Sequence, residues 1–183
     1  MSDSVPQELE LVRAFVNTYD VEDGVDSLGT PEALAGWLVE RSLATGDLTP
    51  TKGEVRRAGA LREALRDHLL ANNGAELPES SAETVAQQSG RSGLHVEIRN
   101  GSVVLSASAG GVDGALGRIL VAVATSMLDD SWPRLKVCAA DTCRWAYVDR
   151  SRNRSRHWCA MNVCGNREKV KAFRTRQAGA FGA

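Results

Sequence analysis

No cysteine precedes Cys138 in this 183-residue chain, and only three histidines occur in it. No apolar run approaches the ~20 residues that a bilayer-spanning helix needs, so no membrane role is expected. The opening segment MSDSVPQELE is acidic and polar and lacks the basic and apolar regions of a secretory signal; cytoplasmic residence is the expectation. There is no His-Glu-x-x-His, no nucleophile elbow and no credible carboxylate pair, so catalysis is not visible and the chain is not expected to be an enzyme. Gly111-x-x-Gly114-x-x-Gly117 lacks the Lys-Ser/Thr and the strand-helix-strand context of a phosphate loop, and reads as a flexible helix entry. His68 sits at the edge of an apolar helical face, and His95 starts a strand with no visible partner. Internal repeats and low-complexity tracts are also missing.

What is present is a soluble-type composition, 43% hydrophobic and 25% charged, in a chain long enough for one well-cored domain with a small appendage. The net charge of −1 hides a division. Residues 1–134 carry 11 Lys and Arg against 20 Asp and Glu, a net of −9, whereas residues 135–183 carry 11 against 3, a net of +8. One end is built to meet a polyanion while the other keeps the molecule soluble.

Periodicity divides the acidic part into helices and one hairpin. Leu11, Val12, Phe15, Val16 and Tyr19 share a helical face, followed by the acidic loop DVEDGVDSLG. Thr30-Pro31 reads as an N-cap and first helical position, ahead of Leu34, Trp37 and Leu38. Thr51 and Glu54 form a capping box before Val55, Ala58, Leu61, Leu65 and Leu69, and Asn72-Asn73-Gly74 stops that helix. Ser80 and Glu83 suggest a further, shorter helix. Residues 95–107 alternate with period two about Asn100-Gly101, a type I′ hairpin turn. From Asp113 a helix carries Leu116, Ile119, Leu120, Val123 and Met127 on one face, and it should end before Trp132-Pro133. The expected class is α+β: a helical N-terminal domain with a β-hairpin over residues 1–133, then a small treble-clef-like module over residues 134–183.

All four cysteines lie in the basic end, as Cys138-x4-Cys143 and Cys159-x4-Cys164. Two matched pairs suit a tetrahedral metal site with Zn–S bonds of about 2.3 Å. Four thiolates leave no open position, so such a zinc is structural. Two disulfides, or unligated redox thiols, are the other readings of the same residues. His157 beside Cys159 is read as a surface residue. Trp145–Val148 reads as a strand, Ser151-Arg152-Asn153 as a turn, Arg156-His157-Trp158 as a return strand, and Cys164 as the start of a helix through Lys169, Val170, Phe173 and Arg174.

VCAADTCRWAYVDRSRNRSRHWCAMNVCGNREKVKAFRTR resembles the CGNR zinc finger, down to Cys164-Gly165-Asn166-Arg167 and the stretch RSRNRSRHWC at 150–159. FVNT at 15–18, TPEALAGWL at 30–38 and ALREALRDHLL at 60–70 are similar to the ABATE domain that usually precedes this finger; ELVRAFVNT departs from the commoner LDFVNT. The resemblance implies zinc ligation by Cys138, Cys143, Cys159 and Cys164, a finger that binds DNA, and a role in stress-induced transcription regulation. It names no ligand for the N-terminal domain.

Arg150, Arg152, Arg154 and Arg156 alternate and would share one face of an extended segment. Arg167, Lys171 and Arg174 form one stripe of the last helix, with Lys169 and Arg176 alongside. Guanidinium groups grip phosphate oxygens bidentately, so these residues are candidate nucleic-acid contacts. DNA is preferred over RNA by resemblance; an acidic protein partner, a merely solvated face, or docking on the acidic N-terminal domain of its own or a neighbouring chain would use the same charges. Trp145, Tyr147 and Trp158 are expected to be the finger's miniature core rather than base-stacking platforms. Asn166 is open to base reading or to capping and sulfur bonding; Arg167, to phosphate or base contact or to a bridge with Asp149. The functional expectation is a two-domain DNA-binding regulator with one zinc ion, whose N-terminal domain senses a small effector or supports a homodimer. The alternatives are a zinc-stabilised protein-interaction module or RNA binder with no DNA target, and an enzyme with its pocket in the N-terminal domain.

Overall fold

The acidic part folds through two local helix-start signals that act as the sequence predicts. In the computed structural model, which describes residues 5–180, α1 spans Gln7–Val16, α2 Pro31–Glu40 and α3 Lys52–Ala71. The Thr30 hydroxyl accepts from Ala33 N–H at 3.2 Å, and Thr51 and Glu54 complete their reciprocal box. The further helix suggested by Ser80 and Glu83 forms as α4, Glu79–Arg91, shorter than α3; it starts from Pro78 with no side-chain cap.

The hairpin forms as β3 (Leu94–Arg99) and β4 (Ser102–Ala107), with φ of 53° at Asn100 and 77° at Gly101. Helix α5, Gly111–Leu128, begins earlier than Asp113 and is the central core helix. It is long and apolar enough to cross a membrane, but Leu116, Ile119, Leu120 and Val123 are buried inside the protein. Met127, assigned to that face, is exposed in the last turn of the helix. Two glycines of the apparent phosphate motif serve packing, while Gly111 has open space around it and a φ of 58°. A Cβ at Gly117 would lie 2.6 Å from the Ala107 methyl and 2.7 Å from Ser92 Cβ, and one at Gly114 would collide with Ala109 O. Gly117 lets α5 approach the hairpin base, and Gly114 admits the Ala109 carbonyl. His95, expected to lack a partner, bonds Gly93 O at 2.9 Å and Glu97 at 2.8 Å.

The acidic loop makes a two-residue ladder, β1 (Tyr19–Asp20) with β2 (Val25–Asp26). Arg62, buried on α3, holds it by paired bonds to the Asp26 carboxylate at 2.7 and 3.0 Å, and this guanidinium holds the Asp26 carboxyl below the usual range. Such pairing is what makes a buried arginine tolerable.

The C-terminal part opens with β5 (Leu135–Val137), which pairs antiparallel with β6 (Ala146–Val148). Leu135, Val137 and Ala146 belong to the main core with α1, α3 and α5. The expected return strand at 156–158 is not formed. Strand β6 takes its partner from before the first cysteine pair, a signal hidden in the three-residue run Leu-Lys-Val. One wide helical turn, Met161–Gly165, then leads into α6, Asn166–Ala180. The class is α+β as expected: helices with three two-stranded sheets among the described residues, and a C-terminal four-cysteine cluster.

Candidate metal centre and basic surface

Cys138 closes β5, Cys143 ends the turn after it, Cys159 follows the arginine loop, and Cys164 sits in the wide turn before α6. Four separate segments therefore deliver one sulfur each. All four Sγ atoms lie within 4.8 Å of one another, and Cys143–Cys159 and Cys159–Cys164 are both 3.7 Å apart. A tetrahedron with 2.3 Å arms has edges of about 3.8 Å. The spacing is far beyond a disulfide bond of about 2.05 Å. The donor set suits one zinc ion, with no imidazole needed: His157 is exposed and packs edge-on to Trp158. Burial pushes the Cys159 thiol up, and the Cys164 thiol up to about 11, so gathering these sulfurs as thiolates requires the cation.

Around the sulfurs is a second, small core. Tyr147 is buried with Cys138, Ala140 and Cys164, and Trp158 packs against them. Trp145 is half-covered at the end of β6. Burial, then the nearby Asp149 carboxylate, raises the Tyr147 phenol well above its usual range, so it stays a neutral donor to Arg156 O at 2.7 Å.

The loop 150–156 is organised by a pair that sequence reasoning did not connect. Lys136 and Asp149 are both buried and lie 3.0 Å apart. Lys136 also donates to Arg154 O and, at 3.2 Å, to Arg156 O. Asp149 accepts from Ser151 N–H and hydroxyl at 2.9 and 2.6 Å and from Arg156 N–H at 2.9 Å. Burial pushes this carboxyl up, but the Ser151, Lys136 and Arg156 bonds outweigh it and bring it down to about 2. These bonds replace a strand ladder, so the segment curls, with a φ of 51° at Arg154. The four arginines consequently do not line one face. Arg150 and Arg152 are exposed. Arg154 pairs with Asp130 at 3.2 Å, while Arg156 lies over the Tyr147 ring and donates to Cys159 O.

Helix α6 is the other basic zone. None of residues 166–177 is buried, and Arg167, Lys169, Lys171, Arg174 and Arg176 are all exposed. A groove of about 690 Å³ runs along it between Asn162, Val163, Asn166, Arg167, Val170, Lys171, Arg174 and Thr175. Arg167 does not bridge to Asp149, whose oxygens are already taken; it reaches Glu22 of the acidic loop at 2.7 Å. Asn166 bonds neither a sulfur nor a cap position and donates to Asn162 O at 3.1 Å. Glu22 and Lys136 were legible only as charges, because their partners are distant in sequence.

Two family models match the chain. The ABATE model, described as "Putative stress-induced transcription regulator", covers residues 9–131, and the CGNR zinc finger model covers residues 134–177. No curated protein matches the chain.

Proposed function

We propose, on the premise that this chain belongs to the ABATE family and carries a CGNR zinc finger, that it regulates transcription by laying α6 into the major groove of duplex DNA. The observation that carries this reading is the solitude of α6: no side chain of residues 166–177 is buried, and five of those residues are Lys or Arg. A helix of this length is marginal in water without tertiary packing. One that spans roughly 22 Å and is about 10–12 Å across fits a groove about 12 Å wide. The deep, narrow major groove of A-form RNA would not admit it, which favours DNA.

On this reading Arg167, Lys171 and Arg174 enter the groove side by side, Lys169 and Arg176 meet phosphates along one wall, and Arg150 and Arg152 reach the backbone from the loop. Arg154 and Arg156 anchor that loop, Arg154 to Asp130 at the end of the N-terminal part and Arg156 to Tyr147 and Cys159 within the finger. Zinc supplies rigidity, and the chain binds rather than catalyses. The N-terminal part is left to sense an effector or to bring two copies together, in a response to stress.

The test is anisotropy or mobility-shift titration on random duplex DNA across a salt series. Binding at low salt should weaken on a log–log slope of about 0.9 per phosphate contacted. Absence of binding at low salt overturns the reading. A second reading has one specific support: Arg167 already holds the Glu22 carboxylate, so the same face could take an acidic protein instead.

A further inference from the structure

We infer that Cys143 and Cys159 form an oxidation site, at which a peroxide closes a disulfide between them and the zinc ion is released. This goes beyond the proposed function and rests on it only for what the release does to DNA binding. The four sulfurs are not equivalent. Cys138 is fully buried and Cys164 is 3% exposed, whereas Cys143 and Cys159 are half-buried. Buried structural cysteines are inert, and reactive ones sit partly exposed in electropositive surroundings.

Cys159 has such surroundings. It lines a groove of about 340 Å³ together with Arg13, Arg150, Trp145 and Val148. Glu10 also lines it and is paired with Arg13. Arg156 adds a third guanidinium, donating to Cys159 O at 2.5 Å. The balance of charge around this sulfur is positive. A water molecule's share of the liquid is about 30 Å³, so a peroxide has room to enter. Cys138 and Cys164 do not line the groove.

Cys143 is the resolving partner on grounds of distance and backbone. Its sulfur lies 3.7 Å from that of Cys159. The two must approach by roughly 1.7 Å to reach a disulfide length of about 2.05 Å. Cys164 is equally near, at 3.7 Å, but it is buried within the wide turn Met161–Gly165 that leads into α6. Cys143 instead ends an exposed turn begun by Asp141 and Thr142, and Cys159 lies in a bend outside any helix or strand. Those two segments can close on each other without breaking a helix or a ladder.

The oxidant is hydrogen peroxide or an organic hydroperoxide. The Cys159 thiolate attacks one peroxide oxygen, an S–O bond forms as the O–O bond breaks, and the hydroxide or alkoxide that leaves takes a proton from water. The Cys143 thiolate then attacks the Cys159 sulfur, the S–S bond forms, the S–O bond breaks, and a second hydroxide leaves. Two electrons have passed from the sulfurs to the peroxide. The two sulfurs that remain are too few for a tetrahedral zinc site, so the ion departs. Cys164 then loses its tie to the other segments at the base of α6, and on the DNA reading binding falls with it. A thiol reductant and fresh zinc restore the site by exchange.

The experiment treats the full zinc-loaded chain with one equivalent of hydrogen peroxide, follows free zinc with a colorimetric indicator, and maps disulfides by mass spectrometry of unreduced peptides. Zinc should appear in step with a Cys143–Cys159 disulfide, and a thiol reductant with added zinc should reverse both. Cys143→His keeps four zinc donors but removes the resolving sulfur. It should release zinc more slowly by roughly tenfold or more, with a sulfenic acid at Cys159 trapped by a dione reagent. The mapping on the wild-type chain decides alone if that variant takes up no zinc. A first disulfide that engages Cys138 or Cys164, zinc that stays bound after the peroxide is consumed, or release from Cys143→His at the wild-type rate overturns the inference. The readouts are zinc and peptide mass, so a failure of DNA binding would be seen separately and would leave the oxidation site standing.

Discussion

The Asn17 side chain acts as a third strand edge for Ala146: its amide donates to Ala146 O at 2.9 Å and its carbonyl accepts from Ala146 N–H at 2.7 Å, across 129 residues of sequence. Asn72 and Asn73 do similar work from the end of α3, donating to Trp132 O, Leu135 O, Val137 O and His157 O. Arg66 completes the set by donating to Arg144 O beside the first cysteine pair, and to Val16 O and Tyr19 O. Polar side chains of the acidic part thus bond the backbone of the basic part at Leu135, Val137, Arg144, Ala146 and His157.

Replacing Asn17 by Ala leaves both polar groups of buried Ala146 unmet by that partner. The expected cost is about 1–3 kcal/mol. Urea denaturation should show a lower midpoint with an unchanged slope, and zinc content should stay the same, because the sulfurs do not depend on this contact.

The buried Lys136–Asp149 pair gives a prediction with a pH sign. Lys136→Met strands a buried carboxylate and should destabilise the protein by about 3–5 kcal/mol. In the wild type the Asp149 carboxyl stands at about 2, below its ordinary value near 3.9. A depressed carboxyl contributes stability that is fully present above the ordinary value and lost as pH falls through the folded one. The window is therefore about pH 4 to pH 2. Asp149→Asn should flatten the acid limb of a stability–pH curve over that window, measured by denaturant titration at each pH.

Metal removal should reach beyond the finger. Strands β5 and β6 flank the first cysteine pair and also fill the main core, so losing the metal loosens Leu135, Val137 and Ala146. A structural zinc can contribute on the order of 10–16 kcal/mol in small fingers. Elemental analysis should find one zinc per chain. Chelation, or Cys138→Ser, should lower the thermal midpoint of the whole chain, and hydrogen exchange should rise in α3 as well as in residues 135–165. Protection unchanged in α3 would show that the two parts unfold separately.

Glu22 and Arg167 make a further testable contact. Glu22→Gln frees the guanidinium, and on the DNA reading it should tighten duplex binding several-fold at low salt and less at high salt, since screening weakens exposed pairs. Lys171→Ala and Arg174→Ala should each weaken binding and lower the salt slope by about 0.9 if the residue neutralises one phosphate. Fluorescence anisotropy across a salt series reads both effects.

The signals that were legible in sequence are those in which neighbouring residues decide the structure. The Thr51–Glu54 box, the Thr30–Pro31 start, the Asn100-Gly101 turn and the cysteine spacing each involve residues within a few positions, and the backbone follows them. Ser80 and Glu83 marked a helix that does form, although its start is Pro78 and carries no side-chain cap. The strand assigned to 156–158 failed for a longer-range reason: Asp149 and Lys136 take the backbone bonds of the arginine loop, so alternation of arginines in sequence does not become alternation on a strand.

By itself the sequence determined the helices, the hairpin turn, the division of charge and the four metal-binding sulfurs, because caps, periods and ligand spacing act over one or two turns of chain. Only the tertiary structure decided that β5 and β6 enter the main core, that Arg154 and Arg156 find acid, aromatic and carbonyl partners at the surface, and that α6 and the hairpin tip are left bare. Those outcomes depend on which groups meet after distant segments close on one another. Burial and partner geometry assign each charge its role there, and nothing in local spacing encodes them.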